Sequence, residues 1–429
     1  MVIIDPMHNL MLGTAKHVMS TWIKEGILTD DKFEEIQTKV HQMRVPSDVG
    51  RIPGKIATKF SGFTADEWKN WTNIYSLFAL FDQIPDDHYT CWQHFVRASR
   101  LLCQRYISDR DIKEADEHLM NFCQAFENIF GAGHCTMNMH LHMHLKSVLE
   151  DFGPVYSYWL YGFERYNGIL GNMYTNNRDV PVQLMRRFIK NGYVKSLSWP
   201  QGFTRFQEII GDGVAEVGTI GETEKVHGHH LHELKEKALC SDVSLVSFEK
   251  QSLHCTVGDG RRYILDEHDI LEIQRMYTYL YLHRWKDISH ICEEYDRVFQ
   301  GGEVFDINND KVSRCAYIAA RTFDGNGQVR GGIVRQLLVS DAFVSSLDNT
   351  MTRKRHLIAR VDWFEQHEQE QYYGPDIILC STEVDSTVCK FIPIQRISSR
   401  CAGMKKHLRL HEVQDCVIVL VPLNHVSVV

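Results

Sequence analysis

The spacing of apolar residues changes once along this chain, and that change restricts its fold more than any single motif does. Over about the first 200 residues, segments such as LMLGTAKHVMSTWIKEG place apolar residues three and four positions apart, which is typical of helices with one buried face. From about residue 309 onward, apolar residues fall in short runs such as HLIARVDWF and DCVIVLVPL. Such runs, rich in β-branched and aromatic residues, predict strands. We therefore expect an α+β chain that is helical first and β-rich last.

The chain is long enough for more than one domain, since its 429 residues exceed the usual size of a single hydrophobic core. We predict a mostly helical region over residues 1–197, a helical connector over residues 198–305 and a small β-rich domain over residues 306–429. The connector has the weakest apolar periodicity, although its segment DEHDILEIQRMYTYLYLHRW predicts a helix.

Composition argues against several classes of protein. No run of about 18 apolar residues is present, so we expect no membrane span and no membrane partner. The N-terminal residues lack the basic start and small-residue cleavage site of a secretory signal. The 12 cysteines form no CxxC pair, which indicates reduced thiols in an intracellular protein. Phosphate-loop, nucleophile-elbow and dinucleotide-binding motifs are also missing.

Positive charge is concentrated in two stretches, although the net charge of −8 disfavours general binding to nucleic acid. Residues 39–59 contain five Lys or Arg against one acid, and residues 178–205 contain six against one. Solvated surface faces are the ordinary explanation of such stretches, and contacts with phosphate are the alternative. Arg165 lies outside both stretches and is included because it is adjacent in sequence to Glu164. The candidate DNA contacts are Arg51, Lys55, Arg165, Arg178, Arg186 and Arg187.

Two carboxylates stand in unusual local settings. Asp5 follows the apolar residues VII, a predicted strand, and precedes Pro6 and His8. Carboxylates at strand ends often bind metals or substrates, whereas Asp-Pro is also an ordinary turn. Glu164 lies among aromatic residues in YSYWLYGFERY. If it is buried there, it needs a partner, which Arg165 or a divalent metal would supply.

Three histidines alternate with apolar residues in NMHLHMHLK. On a helix His140 and His144 would share a face, a spacing that binds zinc, and Cys123 or Cys135 would complete the site. The alternative is a packed core segment whose imidazoles are bonded to protein groups. The candidate zinc ligands are therefore His140 and His144.

Four segments in order resemble the transposase of CACTA (EnSpm-like) elements, in its animal branch. The segments are DPMHNLMLGTAKH, VPSDVGRIPGKIATKFSGFTADEWKNW, CTMNMHLHMHL and GPVYSYWLYGFERYNGILG. Together they extend over roughly the first 200 residues. The tail segments HLIARVDWF and FIPIQRISSRC resemble the C-terminal region of such transposases.

The resemblance implies an RNase H-like core in which three acids hold two divalent ions, Mg²⁺ or Mn²⁺, for DNA cleavage and strand transfer. It places the second acid at Asp5, followed by the family histidine at His8, and the third acid at Glu164. The catalytic candidates are thus Asp5, His8 and Glu164, with Asp5 and Glu164 as metal ligands. The helices between them correspond to a large insertion in a partial RNase H-like core.

The resemblance puts the first acid on a strand ahead of Asp5, where this sequence has only four residues. We therefore expect the chain as given to be inactive or impaired in DNA cleavage. The alternative function is a non-catalytic module, retained from a transposon, that binds nucleic acid or protein. Expected partners are DNA at transposon ends and a second copy of the chain, and the suspected substrate implies a nuclear location.

Overall fold

The computed structural model describes residues 3–46, 49, 53–104, 107–176, 178–196, 260–281, 285–300, 303–307, 316–323, 329–345, 351–369, 372–410 and 413–423. The chain divides into two compact units: Met1–Tyr158 together with His227–Val429, and Trp159–Val226. Arg51 and much of the predicted connector lie outside the described residues.

The N-terminal part of the first unit is helical, as its periodicity predicted. A π-helical segment, Met7–Ala15, continues directly into the first α-helix, and a second, Trp71–Tyr75, leads into the fifth. The α-helices are α1 (Lys16–Lys24), α2 (Asp30–Gln42), α3 (Ile56–Lys59), α4 (Ala65–Asn70), α5 (Ser76–Leu80), α6 (Asp86–Leu102), α7 (Asp109–Phe130), α8 (Met137–His142) and α9 (Leu145–Phe152). None of the described helices of the protein combines the length and apolar character needed to cross a membrane.

Local sequence signals set several helix ends. Thr64 and Glu67 form the capping box that begins α4, each side chain bonding the other residue's backbone N–H. Gly153 ends α9 with φ of 78°, a left-handed conformation that glycine adopts without steric cost. The helix expected over NMHLHMHLK is interrupted, since α8 ends at His142 and α9 starts at Leu145.

Large aromatic side chains fill the space between these helices. Trp92 on α6 meets Trp22 on α1 edge to face, with ring centroids 5.5 Å apart. Phe95 packs against Phe122 of α7 at 5.0 Å. These four rings are at most 1% exposed, and burying each contributes about 2–3 kcal/mol.

The second unit contains two described helices, α10 (Tyr161–Gly171) and α11 (Val180–Ser196). In the C-terminal part of the first unit, α12 (Glu267–Tyr281) accompanies the strands. The strands are β1 (Arg261–Ile264), β2 (Trp285–Ile288), β3 (Ile291–Tyr295), β4 (Arg297–Gln300), β5 (Glu303–Asp306), β6 (Tyr317–Arg321), β7 (Val329–Ser345), β8 (Met351–Gln366), β9 (Ile378–Val384), β10 (Phe391–Pro393), β11 (Ile397–Leu410) and β12 (Val413–Pro422).

Six of these strands close into an antiparallel ring in the order β7, β6, β11, β12, β9 and β8, with β8 pairing back to β7. The predicted β-rich tail is thus confirmed as a sheet. β1, β2 and β3 extend the sheet on the β7 side, so it begins at Arg261, inside the range predicted as a helical connector. Gly331 permits close packing inside the ring, because a Cβ there would lie 2.5 Å from the Leu420 side chain.

Helix α6 and the turn before β9 meet at a largely buried ion pair within the first unit. The Arg97 guanidinium on α6 donates to both oxygens of Asp376, with Nε and Nη2 between 2.8 and 3.1 Å away. The Asp376 side chain is only 7% exposed. Beside this pair, Tyr373 packs edge to face against Phe78 and Phe81. The helical part and the β-rich part of the first unit are therefore packed against each other.

We expect Arg97→Met to lower the free energy of unfolding by about 2–4 kcal/mol, because it leaves the Asp376 carboxylate out of water without its partner. Arg353→Met is the matched control, since Arg353 pairs with Asp341 through a side chain that is 65% exposed. That change should cost less than about 1 kcal/mol. Urea unfolding of both variants measures the difference, and equal losses would contradict the structural importance of the Arg97 pair.

Candidate functional site

A cavity in the first unit is lined by two segments that are far apart in sequence. Its volume is about 520 Å³. One wall comes from residues 3–9, and the other comes from α8, α9 and the turn between them. The lining residues are Ile3, Ile4, Asp5, His8, Asn9, Asn138, Leu141, His144, Ser147 and Val148.

Asp5 begins a helix instead of ending a strand, so the predicted strand ahead of it is wrong for the described residues Ile3 and Ile4. Its carboxylate accepts the backbone N–H groups of Met7 at 3.3 Å and His8 at 3.0 Å. These are orphan donors of the first helical turn, and Asp is a preferred residue to satisfy them. Pro6, with φ of −67°, already has the angle that a helix start requires.

The same carboxylate orients an imidazole. His8 Nδ1 is hydrogen-bonded to Asp5 Oδ2, and the His8 side chain is half exposed while that of Asp5 is mostly covered. With Nδ1–H donated to the carboxylate, the lone pair of the neutral ring lies on Nε2. An Asp–His pair of this kind holds the ring in one tautomer and orientation for contact with a substrate, proton or metal.

A buried hydroxyl lies in the electrostatic field of Asp5. The Tyr158 hydroxyl makes no hydrogen bond with any described group. Burial and, to a smaller extent, the negative charge of Asp5 together raise the pKa of Tyr158 to about 12. A buried hydroxyl without a hydrogen-bond partner costs free energy.

The two walls of the cavity are held together by direct contacts. The Asn9 amide donates to the backbone carbonyl of Asn138, 3.0 Å away. Gly13 makes the close approach possible, because a Cβ at this position would lie 2.3 Å from the Asn138 amide nitrogen. The N-terminal segment and α8 are therefore fitted to each other.

The three histidines of NMHLHMHLK have different environments. His140 and His144 are exposed, and their rings contact each other with centroids 5.2 Å apart. His142 is fully buried, with Nε2 3.0 Å from the Thr14 hydroxyl. Burial lowers the pKa of His142 to about 3, so it is a neutral core residue at ordinary pH.

Only part of the ligand set expected for the predicted zinc site is found among the described residues. Among the described residues, no group of three or more His, Cys, Asp or Glu side chains is arranged to hold a metal. Burial raises the pKa of Cys123 to about 12, which keeps the thiol protonated, whereas zinc binds the thiolate. Zinc at His140 and His144 therefore stays a prediction.

Asp5 fits as one ligand of Mg²⁺ or Mn²⁺, because these ions prefer oxygen donors. Its carboxylate oxygens already accept two backbone N–H groups and the His8 ring, which leaves limited capacity for a metal. The other predicted ligand, Glu164, belongs to the second unit. A metal shared by Asp5 and Glu164 stays a prediction.

Glu164 is exposed on α10, so it is not the buried carboxylate that its aromatic neighbours suggested. Its neighbours Phe163 and Tyr166 are themselves 68% and 50% exposed. The predicted cationic contacts in the described residues are likewise exposed: Lys55, Arg165, Arg178, Arg186 and Arg187.

Not every cation of the two basic stretches is available to phosphate. Lys39 is buried, and its amine donates to the Phe81 carbonyl at 3.0 Å. Burial lowers the pKa of Lys39. The stretch at residues 39–59 is therefore less positive at the surface than its sequence indicated.

Three polar side chains at the cavity, Asn9, Asn138 and Ser147, were not among the sequence candidates. Asn9 and Asn138 lie inside two of the four segments that carry the transposase resemblance. That coincidence was the available signal, because neither amide has a spacing that indicates chemistry by itself.

Comparison of the chain with protein-family models, curated proteins and solved structures finds no match in any of the three.

Replacing His142 by Gln should flatten the pH dependence of stability. In the unfolded chain His142 regains a pKa near 6.5, so it takes up a proton as pH falls below that value, whereas the folded protein does so only near pH 3. Its contribution is complete above pH 6.5 and is lost as pH falls towards 3, at up to about 1.4 kcal/mol per pH unit.

Urea unfolding between pH 5 and 7 measures this slope, which should be smaller in His142→Gln than in the wild type. His140→Gln makes the same change at an exposed position of the same helix and should keep the wild-type slope. A wild-type slope in His142→Gln would show that this residue is not buried in its neutral form.

Proposed function

We propose that this chain derives from a CACTA-type transposase and that the cavity around Asp5 and His8 descends from its phosphodiester-cleaving site. The ancestral activity is metal-dependent DNA cleavage and strand transfer. One observation carries the proposal: the cavity is lined by two of the segments in which the resemblance lies, DPMHNLMLG and CTMNMHLHMHL. These segments are separated by more than a hundred residues, and nothing in their sequences alone requires them to meet.

The side chains of the cavity suit the handling of a phosphodiester. Asp5 fixes the His8 ring through Nδ1, so that Nε2 is the nitrogen able to take up a proton and, once protonated, to donate it to a phosphate oxygen. Asn138, His144 and Ser147 add polar groups to the wall. A divalent ion held by Asp5 would supply charge stabilisation for the attacking and leaving oxygens.

We infer that residues 1–197 contain a partial RNase H-like core, with the helices between Asp5 and Glu164 as its insertion. The described residues up to 158 supply these helices, and the paired strands of such a core are not among them. DNA at transposon ends is the proposed substrate, and a nuclear location follows from it.

A second candidate function is a non-catalytic nucleic-acid-binding module. The observation that favours it is the exposure of Arg165, Arg178, Arg186 and Arg187 in the second unit. Exposed cations can neutralise phosphates without any catalytic group, and such binding weakens steeply as salt is added.

A nicking assay on supercoiled DNA with Mn²⁺ tests the proposal. We expect slow, metal-dependent nicking that Asp5→Asn reduces to the level without metal, because the amide loses the negative charge but still caps the helix. Asp31→Asn is the matched control: it removes the same charge at an exposed position in the first turn of α2 and should nick like the wild type.

Binding to the same DNA is measured in parallel, at low salt. Binding without nicking, unchanged in Asp5→Asn, would select the non-catalytic function. Equal nicking by the wild type and Asp5→Asn would contradict the proposal that the cavity is a DNA-cleaving site. Absence of DNA binding would contradict both candidate functions.

A further inference from the structure

The second unit presents an unusual concentration of exposed apolar side chains. Among the described residues of α10, α11 and the turn between them, eight large apolar side chains are at least 48% exposed. They are Phe163, Tyr166, Tyr174, Val182, Met185, Phe188, Ile189 and Tyr193. Five of the eight are aromatic, whereas large side chains of this kind are normally buried in a monomer.

On α11 these side chains form a stripe. Val182, Met185 and Ile189 are separated by three and four residues, which places them on one face of a helix, and Tyr193 continues the face one turn further. Phe188, 54% exposed, lies directly beside that line. We call this set, with Phe188 included, the α11 stripe.

Positive charge accompanies the stripe. Arg186 and Lys190 are four residues apart, so they form a parallel row next to Met185 and Ile189. Arg187 lies over the Tyr174 ring, with its guanidinium carbon 6.0 Å from the ring centroid. Residues 159–196 contain six Lys or Arg and two acids, a net charge of +4, against −8 for the whole chain.

We propose that the α11 stripe and its flanking cations bind single-stranded DNA, by stacking unpaired bases on the aromatic rings and pairing phosphates with the arginines and Lys190. The inference deepens the proposed function, from which it takes DNA as the polymer. It further specifies that the bound DNA is single-stranded, since cations alone would bind a duplex equally well.

The physical reason is the combination of rings and cations. In a duplex the bases are already stacked on each other, so exposed Phe and Tyr side chains gain little from it. An unpaired strand offers base faces that stack on aromatic side chains, while its phosphates pair with neighbouring cations. Charge complementarity also argues against a symmetric contact between the α11 stripes of two copies of the chain, because it would bring two cationic surfaces together.

Fluorescence anisotropy of the full chain with labelled oligo-dT and with a duplex of equal length tests the inference. We expect the wild type to bind oligo-dT more tightly. The double change Phe188→Ala and Tyr193→Ala should weaken oligo-dT binding about tenfold or more and leave duplex binding unchanged. Phe343→Ala, at a 45% exposed phenylalanine on β7, should bind both probes like the wild type.

Replacing Arg186 and Lys190 by Gln should weaken binding of both probes and reduce the salt dependence of each. Equal effects of the aromatic changes on the two probes, no effect on oligo-dT, or no binding of oligo-dT by the wild type would overturn the inference. A dimer that the aromatic changes dissociate, with oligo-dT binding intact, would assign the stripe to self-association instead.

Failure of this inference is separable from failure of the proposed function. Asp5→Asn changes nicking and lies in the first unit, so it should leave oligo-dT binding unchanged. If the chain binds oligo-dT but Asp5-dependent nicking is not observed, only the catalytic proposal is contradicted. If nicking depends on Asp5 but oligo-dT is not bound, only the role of the α11 stripe is contradicted.

Discussion

The ion pair between Arg97 and Asp376 is the constraint on which much of the first unit depends. The two residues are 279 positions apart, and a charge withdrawn from water is tolerated only with a well-oriented partner. The planar guanidinium donates to both carboxylate oxygens in one preferred orientation, so the pair helps to fix how α6 lies against the sheet. Because α7 packs on α6 and supports α8 and α9, the position of the cavity wall depends on the same contact.

The cavity illustrates how one residue combines structural and chemical roles. Asp5 satisfies the first backbone N–H groups of a helix and also orients His8. The cap makes the carboxylate rigid, which favours a defined geometry for the imidazole, but it also occupies lone pairs that a metal would need. Under the proposed function, this competition would weaken metal binding at Asp5.

Under the proposed function, the two units have different roles. The first holds the cavity, fixed by close contacts such as Asn9 with Asn138. The second contributes exposed cations and rings, which the proposal assigns to contact with a bound DNA strand. The net charge of −8 does not conflict with the proposed DNA binding, because the positive charge is local.

The sequence by itself determined the features that depend on near neighbours. Helical periodicity and the β-rich tail were confirmed, because they follow from interactions within a few residues. The capping box of Thr64 and Glu67 is an interaction of the same short range. Tertiary structure decided the environment of individual side chains. It buried His142 and exposed His140, it buried Lys39 inside a basic stretch, and it paired Arg97 with Asp376. Burial and long-range pairing depend on which distant segments pack together, and that information is absent from local spacing.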